Sequence, residues 1–179
     1  MMLPFPVETD QGAVWMTARD DLVWDNAYVV WCLPRRLGHL LKHTAEIWIN
    51  PNPDQWSDRQ RDMVQKAMTN TSREHPMPVG CLSVSYVERK IWPGFRNLLE
   101  SLGIYSPTVI SGFMDGMHRT AWLMATGAQL IPLMTTSLHE CLALERHAGA
   151  GFASISLRDF MSAGGRSPGD HCCGSPQQA

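Results

Sequence analysis

One short stretch, residues 107–122, has the pattern of an extended segment joined to a helix through a tight turn. This pattern restricts the local backbone more than any other part of the sequence. An apolar run over residues 107–114 stops at Asp115-Gly116, a dipeptide that is typical of turns. Apolar residues at helical spacing follow directly, and Gly127 marks the end of that pattern. The sequence therefore predicts a strand over 107–114 and a helix over 117–126.

The first turn of this predicted helix has the features of an anion site. It carries free backbone N–H groups and the positive end of the helix dipole, and His118 and Arg119 add basic side chains. Gly116 has no Cβ to keep an anion away from the backbone. The residues expected to contact phosphate are Gly116, Met117, His118, Arg119 and Thr120. The alternative is an ordinary strand–helix junction with an exposed His and Arg.

Charged residues on both sides of this stretch extend the hypothesis. Asp115 either caps the helix or holds Mg²⁺ beside a bound phosphate. Glu88-Arg89-Lys90 follows a predicted strand, and Arg96 lies on the helix predicted after it. Two or three of these side chains are expected to reach phosphate oxygens from a neighbouring element, and the alternative is a solvated charged corner.

Other metal-ligating residue types do not form a complete set. His39 and His43 lie four residues apart on a predicted helix, the spacing of two ligands on one face, but no carboxylate or Cys completes the site. His139-Glu140 lacks the second His of a zinc-protease motif. The pair Cys172-Cys173 follows His171 in a terminal segment, where no structural metal site is expected.

Composition excludes several classes of protein. The 179 residues include 15 Lys and Arg against 17 Asp and Glu, so there is no global basic field of the kind that marks a dedicated DNA-binding protein. The five Cys are odd in number and irregularly spaced, which favours a reducing cytosol over a disulfide framework. No signal peptide is recognised, and no stretch approaches the roughly 20 apolar residues of a membrane span. A soluble protein is expected.

The hydrophobic pattern predicts one α/β domain of α+β type over residues 13–163, between a loose leader, 1–12, and a flexible tail, 164–179. Its predicted strands cover 13–16, 27–33, 46–49, 79–87, 107–114 and 130–134. Its predicted helices cover 35–43, 58–69 after the N-cap Ser57, the segment from Pro93 to Gly103, 117–126, 138–147 and 157–161. Residues 73–78 are expected to form a loop.

From Glu88 to about Ala150 the chain resembles the ParB/sulfiredoxin superfamily. Arg89-Lys90, the predicted helix 95–103 and the strand after it are similar to the order of elements that precedes the ParB nucleotide motif. Residues 114–119, Met-Asp-Gly-Met-His-Arg, resemble the Phe-Gly-Gly-Cys-His-Arg loop of sulfiredoxins, in which Gly, His and Arg hold ATP phosphates. The resemblance implies a single-domain fold with a mixed sheet and flanking helices, and it implies ATP as the ligand.

Two departures narrow the resemblance. The catalytic Cys of sulfiredoxins falls on Met117, which cannot form the sulfur intermediate, so sulfinic acid reduction is excluded. The ParB loop has Glu-Arg-Arg where this chain has Met-His-Arg, and no helix-turn-helix region follows. The chain looks most like the plasmid fertility-inhibition branch, which includes the oncogenic suppression protein. That resemblance implies ATPase and DNase activities that block DNA transfer through type IV secretion during conjugation.

The leading hypothesis is a nucleotide-hydrolysing and DNA-cleaving effector. Gly116 and the following N–H groups would hold a phosphate, while Arg119 and His118 would neutralise charge in the transition state. Asp115 or Glu88 would hold Mg²⁺ or orient a water. The expected partners are ATP or another nucleotide, DNA or a DNA–protein transfer intermediate, and the coupling ATPase of a type IV secretion system. The expected location is the bacterial cytoplasm, at the inner-membrane face of that system.

Two alternatives stay open at the level of sequence. A non-catalytic binding protein would use the turn as an anion clamp and would inhibit a secretion ATPase or its substrate by occupancy. Its partner surface would include Trp15, Trp24 and Trp56, for which core packing is the other interpretation. A ParB-type nuclease of a toxin–antitoxin system or a phage would differ in biological context.

Overall fold

Eight strands and four α-helices form within the residues that the computed structural model describes: 4–18, 26–44, 53–87, 101, 108–152, 154–156 and 159. The elements follow one another in the order β1 (Phe5–Thr9), β2 (Gly12–Thr17), β3 (Tyr28–Cys32), α1 (Pro34–Thr44), α2 (Asp58–Thr69), β4 (Met77–Pro78), β5 (Gly80–Val87), β6 (Thr108–Asp115), α3 (Met117–Ala125), β7 (Ile131–Thr135), α4 (Leu138–Ala148) and β8 (Ile155–Ser156). A 3-10 turn, Pro53–Gln55, precedes α2.

Five strands form a mixed sheet in the order β6-β5-β7-β3-β8. β5 pairs antiparallel with β6 and parallel with β7, while β3 pairs antiparallel with β7 and β8. All five residues of β7 are buried, as are the last four of β3. Strands covered on both faces are typically continuous apolar runs, which is how these two segments appear in the sequence. The expected α+β fold with a mixed sheet and flanking helices is confirmed.

A second, smaller sheet has the order β1-β2-β4. β1 and β2 form an antiparallel hairpin, and β2 pairs in parallel with Met77–Pro78. The expectation of a loose leader is wrong for Phe5–Thr9, because Phe5 and Val7 of β1 are buried in the core. Pro6 is compatible with this strand since β1 lies at the sheet edge, where a missing N–H costs no ladder hydrogen bond. The prediction of a loop over 73–78 is also wrong at its end, because Met77–Pro78 form β4.

The helices begin and end close to their predicted bounds. α2 starts after the predicted N-cap Ser57, whose hydroxyl accepts from the Gln60 N–H at 3.3 Å. The Gln60 side chain in turn accepts from the Ser57 N–H at 3.3 Å, which completes a capping box. α4 packs on β3 and β5, while α3 contacts α2 and the 3-10 turn. This packing sets the N-terminus of α3 beside the start of β5.

Some predicted elements lie outside the described residues. They are the strand 46–49, the helix from Pro93 to Gly103 apart from Ser101, the helix 157–161 apart from Asp159, and the tail 164–179.

Candidate functional site: the turn between β6 and α3

The predicted strand–turn–helix junction is present. Asp115 is the last residue of β6, and Gly116 is the N-cap of α3 in the left-handed conformation, with φ 79° and ψ 13°. The Thr120 N–H donates to the Gly116 carbonyl at 2.9 Å and opens the helical hydrogen-bond ladder. Asp115 therefore precedes the N-cap instead of occupying it, which corrects one of its two expected roles.

Gly116 is required by close backbone packing. A Cβ at this position would lie 2.4 Å from the Cα of Gly80 and 2.9 Å from Nη2 of Arg119. A Cβ on Gly80 would in turn lie 2.8 Å from the hydroxyl of Thr120. The two glycines thus let the turn approach the start of β5, so the space expected for an anion at the missing Cβ is occupied by the protein itself.

Asp115 and Arg119 form an ion pair across the turn. Oδ2 of Asp115 accepts from Nη2 of Arg119 at 2.8 Å, and Oδ1 accepts from the Gly116 N–H at 2.6 Å. The Arg119 side chain is 20% exposed and that of Asp115 is 42% exposed. Both carboxylate oxygens are therefore engaged within the turn, and the carboxylate has the more solvent-accessible position of the two.

The other two nitrogens of the Arg119 guanidinium, Nη1 and Nε, make weaker contacts than Nη2. Nη1 lies 3.9 Å from the sulfur of Met77 on β4, a long and weak contact. Nε is buried and has no hydrogen-bond partner among the residues that the structure describes. A buried donor without a hydrogen-bond partner carries a desolvation penalty, so Arg119 is held in the turn mainly by its ion pair with Asp115.

The first turn of α3 also offers backbone donors. No side chain caps it, and the N–H groups of Met117, His118 and Arg119 have no partner among the described residues. Because three such groups point along the positive end of the helix dipole, the turn can bind an anion through its backbone.

Two further residues of the predicted site have structural contacts. His118 is half-buried and packs edge-on against Trp56, with ring centroids 5.0 Å apart. Thr120 is buried, and its hydroxyl donates to the Gly116 carbonyl at 3.0 Å, so it stabilises the turn instead of facing a ligand. Trp56 is 8% exposed, which corrects its proposed place on a partner surface. Trp15 is half-buried.

Several sequence-predicted residues are not brought to this turn by the described structure. Glu88, Arg89, Lys90 and Arg96 lie outside the described residues, as do Trp24 and the segment 171–173. His39 is exposed on α1, and His139 packs against Tyr86. Within the described ranges no group of three or more His, Cys, Asp or Glu is arranged to hold a metal ion.

The structure adds two residues that the sequence analysis missed, Gly80 and Met77. Both lie more than 30 positions before the turn in the sequence, and their contacts depend on strand pairing. The Asp115–Arg119 pair, by contrast, had a signal in the sequence, because residues four apart at a helix start are spaced for an ion pair.

The described part of the chain contains no helix with the length and apolarity needed to cross a membrane.

Comparisons with known proteins identify the family. A family model for plasmid fertility inhibition factors matches residues 29–149, more than half of the chain. The fold is similar to a crystal structure of oncogenic suppression activity protein, a plasmid fertility inhibition factor, solved as its gold(I) cyanide derivative. That match has a TM-score of 0.67 and 16% sequence identity, and it covers 90% of this chain and 77% of that chain. No curated protein sequence matches. The expected likeness to the fertility-inhibition branch is thereby confirmed, and the chain belongs to the plasmid fertility inhibition factor family.

Proposed function

We propose that this fertility inhibition factor blocks DNA transfer through type IV secretion by binding ATP at the turn 114–120, and that it hydrolyses ATP and cleaves DNA there. The observation that supports the proposal best is the uncapped first turn of α3, with three N–H groups beside the guanidinium of Arg119. Phosphate is the ligand that such a combination of backbone donors and Arg favours.

Binding would proceed by exchange of one anion for another. In the structure the Arg119 guanidinium is held by the carboxylate of Asp115. A nucleotide phosphate at the first turn of α3 would replace that carboxylate as the partner of Arg119. Because the Asp115 side chain is 42% exposed, it can turn to solvent without opening the core.

Once displaced from Arg119, the Asp115 carboxylate would be available to act in catalysis. Mg²⁺ in nucleotide sites is commonly held by one or two carboxylates together with the phosphates themselves. Asp115 would supply such a ligand or orient a water, and His118 and Arg119 would neutralise charge in the transition state. Glu88 is proposed as an alternative group to hold Mg²⁺ or orient the water, and Arg89, Lys90 and Arg96 are proposed as further contacts to the phosphates.

The setting of this activity is part of the proposal. DNA or a DNA–protein transfer intermediate would be the substrate, and the coupling ATPase of the secretion system would be the protein partner. The factor would act in the bacterial cytoplasm, at the inner-membrane face of that system. Membership of the fertility inhibition family supports an action in plasmid transfer.

We expect Arg119→Ala to lower ATP turnover and Mg²⁺-dependent plasmid cleavage by at least about a hundredfold, because it removes the cation that faces the phosphate. Turnover of purified protein is measured with ATP and with supercoiled plasmid, and circular dichroism checks that the variant is folded. Arg59→Ala, which removes an exposed cation on α2, is the control and should keep wild-type turnover. A folded Arg119→Ala protein with full turnover would refute the assignment.

A second candidate is inhibition by occupancy, without catalysis. It is favoured by the ion pair itself, since both oxygens of Asp115 are already engaged and a clamp needs only the N–H groups and Arg119. Under this alternative the wild-type protein binds ATP, and Arg119→Ala weakens that binding, but neither ATP nor plasmid is consumed. Metal-dependent plasmid degradation by wild type and its loss in Arg119→Ala would decide for the enzyme.

A further inference from the structure

A second feature with the chemistry of an anion site is a cleft on another part of the molecule. It has a volume of about 1090 Å³ and lies between α1, the C-terminal end of α3 and the C-terminal end of α4. The described residues that line it include four cations and two histidines and no acidic side chain: Arg35, Arg36, Lys42, Arg146, His39 and His147. Since acidic residues outnumber basic ones in the whole chain, this is a local concentration of positive charge.

The cations form a row and not a single point. Arg35 and Lys42 lie seven residues apart on α1 with His39 between them, so the three side chains share one face of the helix over about 10 Å. Arg146 adds a cation from α4, and Arg36 donates to the Gly149 carbonyl at 3.2 Å, which fixes its guanidinium at the wall of the cleft. A row of this kind matches a ligand with repeated charges along a line.

Helix stability does not explain the charges on α1. Arg35 and Arg36 occupy its first turn, where the positive end of the dipole disfavours cations, and that turn has no acidic residue. Neither Arg35 nor Lys42 takes part in an ion pair with a described residue. An anionic ligand would offset the unfavourable interaction of Arg35 and Arg36 with the positive end of the α1 dipole. Arg146 differs, because it lies in the last turn of α4, where the helix dipole favours a cation.

We infer that this cleft binds the phosphodiester backbone of single-stranded nucleic acid. A flexible strand can enter a concave surface, and its phosphates can follow the row of cations on α1. The lining also has an apolar part, which includes Pro34, Pro53 and Met124. It can contact the base surfaces of a single strand, whereas the bases of a duplex are stacked on one another and are not accessible. Inorganic phosphate or a compact anion would use only one end of the row.

The cleft is separate from the turn 114–120. Met124 lies at the far end of α3, about 10 Å along the helix from Met117, so a strand in the cleft and a nucleotide at the turn can be bound together. The inference draws on the proposed function only for DNA as the substrate. Each site can therefore be disabled without the other.

The experiment measures the anisotropy of a labelled oligothymidylate of about 15 nucleotides, a length typical of single-strand sites. We expect Arg35→Ala/Lys42→Ala to weaken binding at least tenfold at low salt. The slope of log affinity against log salt should fall by about 1.4, because each phosphate contact on a single strand contributes about 0.7. Arg146→Ala should weaken binding in the same direction, and both variants should bind ATP like wild type.

The matched control is Arg59→Ala/Lys66→Ala, which removes two exposed cations at the same seven-residue spacing on α2. It should leave the affinity unchanged, and an equal loss in both double variants would overturn the inference by showing a general charge effect. Equal binding of a duplex, equal competition by polyglutamate at the same charge, or loss of ATP binding in the cleft variant would also overturn it. If Arg119→Ala leaves ATP binding unchanged while the cleft results hold, only the proposed function fails.

Discussion

At the scale of single residues, the turn between β6 and α3 depends on two glycines that are distant in sequence. Gly116 is left-handed, and the place of its Cβ is taken by the backbone of Gly80. The Asp-Gly dipeptide predicted the turn, because Gly favours the positive φ found there. The partner Gly80 was not predictable, since nothing local in the sequence says that the start of β5 meets this turn.

We expect Gly116→Ala to lower the free energy of unfolding by about 2–4 kcal/mol, because it combines a strained left-handed backbone with a clash against backbone atoms. Urea unfolding measures the change. Gly112→Ala on β6 is the control, because a Cβ there meets no atom within 4 Å, and it should stay within about 1 kcal/mol of wild type. Equal stability of the two variants would show that the close approach of Gly80 does not constrain the turn.

At the scale of elements, a half-buried carboxylate, Glu140, joins the start of α4 to the main sheet by hydrogen bonds. Glu140 accepts hydrogen bonds from the Thr136 N–H at 3.0 Å, from the Thr136 hydroxyl and from the Ser83 hydroxyl on β5. Burial acts to raise the pKa of Glu140, but these hydrogen bonds outweigh it and hold the pKa below its ordinary value of 4.5. Glu140, which the sequence analysis compared with a zinc-protease motif, therefore has a structural role in holding α4 to the sheet.

Since the pKa of Glu140 is lower in the folded state than in the unfolded state, its stabilising effect is complete above about pH 4.5 and is lost as the pH falls through the folded-state value. We expect Glu140→Gln to lower the free energy of unfolding by about 1–2 kcal/mol at pH 7. The difference from wild type should shrink below pH 4.5, as followed by urea unfolding across pH. Glu8→Gln, an exposed position on β1, is the control. A difference that stays constant or grows in acid would contradict this account.

Most other elements followed from local patterns, and the exceptions have physical reasons. The side chains of Ser57 and Gln60 each accept from the other residue's N–H at the start of α2, and because this capping box is local, the sequence alone predicted that start. β1 was missed because Pro4 and Pro6 obscured the alternation of Phe5 and Val7, although a proline is tolerated in an edge strand.

At the scale of the whole molecule, the long-range arrangement was beyond local patterns. The order β6-β5-β7-β3-β8 places strands from distant parts of the chain side by side, and hydrophobic spacing does not specify that order. Only the resemblance to a known superfamily implied a mixed sheet. The cleft of α1, α3 and α4 was likewise missed, although the lack of any acidic residue in α1 was a visible signal.

The function proposed for the whole molecule depends on one event, the binding of nucleotide phosphate at the first turn of α3. Amide chemical shifts of ¹⁵N-labelled protein test it most directly during titration with Mg²⁺ and ATP. We predict the largest shift changes at Asp115, Met117, His118 and Arg119, because phosphate would bind their N–H groups or displace the ion pair, with little change at Gln60 in α2. Shifts confined to other residues, with Met117 to Arg119 unaffected at saturating ATP, would contradict the account.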